Sequence, residues 1–147
     1  MPIDLDVQIA SNDSDIPCET ELQLWASSVP SKDQTTACLR IVDELEARAL
    51  NLKYRQIDKS TNVLSFPADI PKQVNINHLG DIVICAAVVS KEAQQQNKSS
   101  NHHWAHLLIH GLLHLLGYDH IEEKDAYKME ALEIEILNTL EISNPYK

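Results

Sequence analysis

Residues 81–85 read Asp81-Ile82-Val83-Ile84-Cys85, a short run that is apolar through its middle. A segment apolar on both faces suits a strand with neighbours on either side, so it is expected in the interior of a sheet. Upstream, Ile3, Leu5, Val7 and Ile9 alternate with Asp4, Asp6 and Gln8, the period-two pattern of a half-buried strand. Cys38 to Val42, short and apolar-rich, reads as a second strand, and Thr61 to Phe66, closed by Pro67, as a third. Between them, Thr20 to Val29, ended by Pro30, reads as a short helix containing Leu22, Leu24 and Trp25. Asp43 stands where it can cap a helix through about Tyr54, with Leu45, Ala49 and Leu52 on one face. Residues 67–79 form a polar, proline-containing loop.

Downstream of Cys85 the chain reads as helical: about 87–97, about 101–116 and about 122–140. In the last helix Met129, Leu132, Ile136 and Leu140 fall at helical spacing. The expected architecture is α+β: a small four-stranded mixed sheet packed by helices, with a metal site at the end of a helix in the C-terminal half. A chain of 147 residues is expected to form one domain over 1–147.

Composition narrows the function. Glycine occurs three times, about 2% against a usual ~7%, so the glycine-rich phosphate cradles of nucleotide enzymes have no place here. Cys18, Cys38 and Cys85 are odd in number and widely spaced, which fits neither a disulfide framework nor a C-x-x-C site; buried small hydrophobes are expected. The longest uncharged apolar stretch, near Ile82 to Val89, falls far short of the ~20 residues a membrane span needs. The N-terminal MPIDLDVQ is acidic and has no secretory pattern, so a cytoplasmic location is expected.

Net charge is −10, which argues against nonspecific nucleic-acid binding. The charge is uneven, however. Residues 1–52 are net −7 and residues 101–147 net −5, whereas residues 53–100 carry six basic groups against four acidic, net +2. That segment opens with Lys53-Tyr54-Arg55 and includes Lys59. It can be a solvated loop or a small, concentrated cationic site.

The chemistry lies in His110-Gly111-Leu112-Leu113-His114-Leu115-Leu116-Gly117-Tyr118-Asp119-His120. Histidines four apart stack on one helix face, and two such imidazoles can share one metal ion. Gly117 can enter the left-handed conformation that ends a helix, and the chain reversal can bring His120 back to the same ion. Three histidines leave a fourth tetrahedral position for water or substrate, as in catalytic zinc sites. A competing register exists, since His102, His106, His110 and His114 all recur at four. Only His110/His114 has a third histidine after a reversal, which leaves His106 as a ligand-orienting or groove residue. His103 falls off that face and is expected to be exposed, and His78 lies in the polar loop without an assignment. Asp119 can orient a ligand histidine or cap the final helix.

The spacing H-x-x-x-H-x-x-G-x-x-H matches the zinc site of metzincin proteases, but those place a glutamate base after the first histidine. Here that position is Gly111, which cannot take a proton.

The same stretch resembles the signature of the YbeY family of bacterial endoribonucleases. Tyr54-Arg55, Thr61 to Pro67, Gly80 to Ile84, His103 to Leu107 and Asn144-Pro145-Tyr146 resemble further blocks of that family. The resemblance covers most of residues 40–147, and the first 35 fit loosely. It implies a zinc-binding α+β domain that cuts single-stranded RNA, with one Zn2+ on His110, His114 and His120, and Arg55 important for activity. It also implies roles in 16S rRNA 3′-end maturation and ribosome quality control, with a small-subunit ribosomal protein and an Era-type GTPase as partners. His114 and Arg55 are the catalytic candidates. Three neutral imidazoles would leave an ion its full charge, and a guanidinium suits the equatorial oxygens of a phosphodiester. Lys53 and Lys59 are candidates for flanking phosphates, and Ser65, Phe66 and Pro67 for a substrate groove. A metalloprotease-like zinc hydrolase and a non-catalytic, zinc-stabilised ribosome assembly factor are the alternatives.

Overall fold

The computed structural model describes residues 3–31, 34–68, 77–118 and 123–146. Along the chain run β1 (Ile3–Ala10), α1 (Glu19–Ser27), β2 (Thr35–Val42), α2 (Glu44–Arg55), β3 (Val63–Pro67), β4 (His78–Cys85), α3 (Ala86–Gln95), α4 (Ser100–Leu115) and α5 (Glu123–Thr139). The sheet order is β1-β2-β4-β3; β1, β2 and β4 are parallel, and β3 is antiparallel to β4. The fold is thus α+β with a mixed four-stranded sheet, and the Asp81–Cys85 segment is interior as its composition requires.

Alternation along the strands sorts the core. Ile82 and Ile84 of β4, with Ala37, Leu39 and Ile41 of β2, join α1 and α4 in the larger apolar cluster. Val83, Cys85, Val42 and Leu64 face the other way and pack under Ala47 of α2. β1 contributes Ile3, Leu5 and Val7 to the larger cluster, whereas Ile9, near the end of this edge strand, is 55% exposed. On α5, Met129 and Ile136 are buried as their spacing predicts.

Several local expectations are corrected. On α2, Leu45 is 83% exposed and Leu52 and Ala49 are also exposed, whereas Ala47 and Asn51 are buried. Asn51 Nδ2 donates to the Lys59 carbonyl at 2.9 Å and ties down the loop after the helix. Apolar periodicity cannot register such a buried amide. Asp43 holds the N-cap position of α2 without a side-chain cap, because its carboxylate accepts from Ser11 Oγ instead. His78 is the first residue of β4 rather than part of the loop, and its Nδ1 lies 2.8 Å from Thr36 Oγ1. Cys85 is buried and Cys38 half-buried, but Cys18 is exposed. Among the described residues no helix is long and apolar enough to cross a membrane.

Candidate metal centre and cleft

The histidine helix α4 lies against the sheet at Gly111. A Cβ there would sit 3.2 Å from two carbons of Ile82 and 3.3 Å from Ser65 Oγ, residues opposite each other on β4 and β3. Glycine therefore permits an approach that a larger residue would crowd. The position after His110 faces the sheet, which explains why it cannot carry a general base. The helix ends as its glycine predicts. Gly117 has φ +104°, its N–H donates to the His114 carbonyl, and the Tyr118 N–H donates to the Leu113 carbonyl, each at 3.0 Å. This pair of bonds is a Schellman motif. Residues 119–122 follow, so Asp119 and His120 lie outside the described residues.

His110 and His114 converge. Their Nε2 atoms are 3.0 Å apart and their ring centroids 4.6 Å apart, edge to face. The other nitrogen of His110, Nδ1, donates to Oε1 of Glu133 on α5. Glu133 is fully buried. Its Oε2 accepts from His106 Nε2 at 3.2 Å and from the Tyr146 hydroxyl. Burial pushes the Glu133 carboxyl up, but the hydrogen bonds from His106, His110 and Tyr146 outweigh it and hold the group down to about 2. Burial lowers His106 and keeps it neutral. Burial and the adjacent carboxylate push the Tyr146 phenol up, so it remains a donor.

The ionised carboxylate accepts only, so the His110 Nδ1 carries its hydrogen and Nε2 is the nitrogen directed at His114. Donor atoms of His106, His110 and Glu133 lie within 4.8 Å of one another, a His/His/Glu group in the C-terminal half that could hold a metal ion. Both oxygens of its carboxylate are already engaged by protein donors.

His110 and His114 open onto a cleft of about 840 Å³, shared with Arg55, Ser65, Phe66 and Tyr118. Tyr54 docks the last turn of α2 onto β3, with its ring centroid 4.9 Å from that of Phe66. This contact brings the neighbouring Arg55 to the cleft. The chain has three arginines, and two are tied to carboxylates: Arg40 to Glu46 at 2.6 Å and Arg48 to Asp58 at 2.7 Å. Arg55 makes no ion pair among the described residues. Of the lysines considered from sequence, Lys53 Nζ lies 5.2 Å over the Tyr54 ring, and Lys59 supplies the carbonyl that holds Asn51.

The structure therefore brings Arg55, Ser65, Phe66, Pro67, His110 and His114 to one cleft. His106 stands behind it, on the buried carboxylate. His103 corrects an expectation: it is buried, with Nε2 2.9 Å from Glu92 Oε1. Glu133 is not marked as a site residue in the sequence, and Tyr146 is marked there only as part of the Asn144-Pro145-Tyr146 block. A signal existed for Glu133, an acidic residue four after Met129 and three before Ile136 on the apolar face of α5.

Comparison with known proteins adds to this geometry. The family profile described as Endoribonuclease YbeY matches residues 6–141. Among solved structures, the solution structure of TM1509 from Thermotoga maritima superposes with a TM-score of 0.58 at 24% identity, covering 96% of this chain and 99% of that one. At that identity the likeness speaks for the fold alone.

Proposed function

Because the chain belongs to the YbeY endoribonuclease family, we propose that it is a zinc-dependent enzyme that cuts single-stranded RNA, with its metal on His110, His114 and His120 and with Arg55 on the scissile phosphate. The observation that carries the reading is the cleft itself, where two convergent imidazole nitrogens share one wall system with an arginine that has no carboxylate partner among the described residues.

The spacing of the two described imidazole nitrogens suits the ion. Two nitrogens on a tetrahedral zinc stand about 3.3 Å apart, given bonds of about 2.0–2.1 Å, and the Nε2 atoms here are 3.0 Å apart. Glu133 holds Nδ1 of His110 from behind, the usual arrangement for a metal-ligating histidine. His106 and Glu133 serve as its support rather than as ligands, since the carboxylate is occupied by three donors. A divalent ion held there would supply Lewis acidity toward a phosphoryl oxygen or a water.

The chain's own residues do the rest. The Arg55 guanidinium offers paired donors to the equatorial oxygens, where charge builds as the phosphodiester is cut. Tyr54, Phe66 and Tyr118 line the cleft and give unpaired bases apolar faces to stack on, which favours single strands. Local cationic contact in the one net-positive segment makes RNA binding compatible with an overall charge of −10. Glu133 is buried and does not reach the cleft, so it is not a base for the reaction. A peptidase mechanism of the metzincin kind is disfavoured because Gly111 faces Ile82 and Ser65.

We read its task as rRNA processing at the small-subunit 3′ end and ribosome quality control in the cytoplasm, a reading that membership of the family supports. A small-subunit protein and an Era-type GTPase are the partners that resemblance suggests. The test is incubation of purified protein with single-stranded and duplex RNA, with metal content measured in parallel. Cleavage of the single strand alone, lost in His114→Ala and Arg55→Ala variants that keep their fold, supports the reading. A folded, zinc-loaded protein without RNA cleavage overturns it.

A further inference from the structure

We infer that Tyr146 is a positioning residue of the metal centre, locking the Glu133 carboxylate so that it holds His110 in the ligating orientation. The inference rests on the metal reading of His110 given above.

Tyr146 follows α5 in a segment fastened at two points. Ile142 is buried, and its N–H closes the helix on the Leu137 carbonyl at 2.9 Å. The Tyr146 N–H donates to Asn144 Oδ1 at 2.8 Å, a local turn closed by the asparagine side chain. The phenol ring meets the His106 ring edge on, with centroids 5.4 Å apart. Its hydroxyl donates to Oε2 of Glu133 and lies 3.3 Å from His106 Nε2. The residue also walls a second cleft of about 560 Å³, with Lys98 and His102, that His106 shares with it. Tyr146 thus reaches the carboxylate from a second cleft and is not among the residues lining the one that His110 and His114 share.

The consequence is geometric. A carboxylate on a helix keeps Oε1 on His110 Nδ1 only if its terminal torsion is fixed, and that torsion is intrinsically broad. Oε2 is fixed by two donors, the Tyr146 hydroxyl and His106 Nε2 at 3.2 Å. Removing the hydroxyl leaves the weaker contact alone. The carboxylate can then rotate, and the His110 ring loses the bond that selects its tautomer.

The experiment compares wild type, Tyr146→Phe, Glu133→Gln and the control Tyr127→Phe, whose residue is 75% exposed on α5. Zinc affinity is read by chelator competition, histidine tautomers by nitrogen NMR of the metal-free protein, and folding by circular dichroism. Tyr146→Phe is expected to fold, to bind zinc roughly tenfold more weakly, and to lose part of the His110 Nδ1–H population. Glu133→Gln is expected to lose more of both, and Tyr127→Phe neither. Wild-type affinity and an unchanged His110 spectrum in Tyr146→Phe overturn the inference while leaving the metal reading intact. A wild type that takes up no zinc overturns the metal reading and this inference with it.

Discussion

His110 and His114 aim their Nε2 atoms at each other across 3.0 Å, one helical turn apart, while Nδ1 of His110 is held from behind by Glu133. Packing produces this arrangement. The sheet meets α4 at Gly111, and α5 meets it at His106 and His110. The two imidazoles are left facing the cleft between them.

The pair is expected to bind metal as a unit. His110→Ala and His114→Ala should each lose zinc and RNA cleavage together while circular dichroism stays that of the wild type. Chelation of the wild type should abolish cleavage, and added zinc should restore it. Metal content measured by mass spectrometry alongside the cleavage assay checks this.

Arg55 is expected to act on the reaction and not on the fold. It makes no ion pair among the described residues, so Arg55→Ala should change stability by no more than about 0.5 kcal/mol. Loss of one positioned donor to a developing anion costs about 10²–10³ in kcat. Arg55→Lys should recover little, because an ammonium cannot make the paired contact. Single-turnover kinetics with a saturating RNA measure the difference.

Gly111 is expected to resist conversion to the protease pattern. In Gly111→Glu the Cβ alone would press on Ile82 and Ser65 at 3.2 and 3.3 Å, and a carboxylate would follow it into the core. Overpacking costs about 1–3 kcal/mol and the unpaired buried charge adds to that. The variant should unfold at markedly lower urea and show no peptidase activity.

Much of this site was legible in the chain and part was not, for a physical reason. The helical repeat of His110 and His114 and the helix-ending Gly117 are local features, and the structure reproduces that helix and its Schellman end. The period-two strand at Ile3 to Ile9 and the apolar Ile82–Cys85 run are local too. What escaped was nonlocal or polar. Glu133 meets His110 because α5 packs on α4, and His103 is buried with Glu92 of α3 as its partner. Asn51 is buried and bonds to the Lys59 backbone carbonyl, which no hydropathy pattern encodes.

The Glu92–His103 contact carries a pH signature. The hydrogen bond from His103, helped by Asn62 and opposed by burial, holds the Glu92 carboxyl below its ordinary value of 4.5. A carboxyl lowered in the folded state stabilises fully above that ordinary value, and the contribution fades as pH falls through the folded value below it. Glu92→Gln should therefore be less stable than wild type at neutral pH, and the gap should close as the solution is acidified beneath 4.5. Urea melts of both proteins across that range give the comparison.

An anomalous difference map at the zinc edge, from zinc-soaked crystals, tests the central claim most directly. The account predicts one peak at about 2.0–2.1 Å from Nε2 of both His110 and His114, with His120 as the third ligand. A peak instead among His106, Nδ1 of His110 and Glu133 would contradict it.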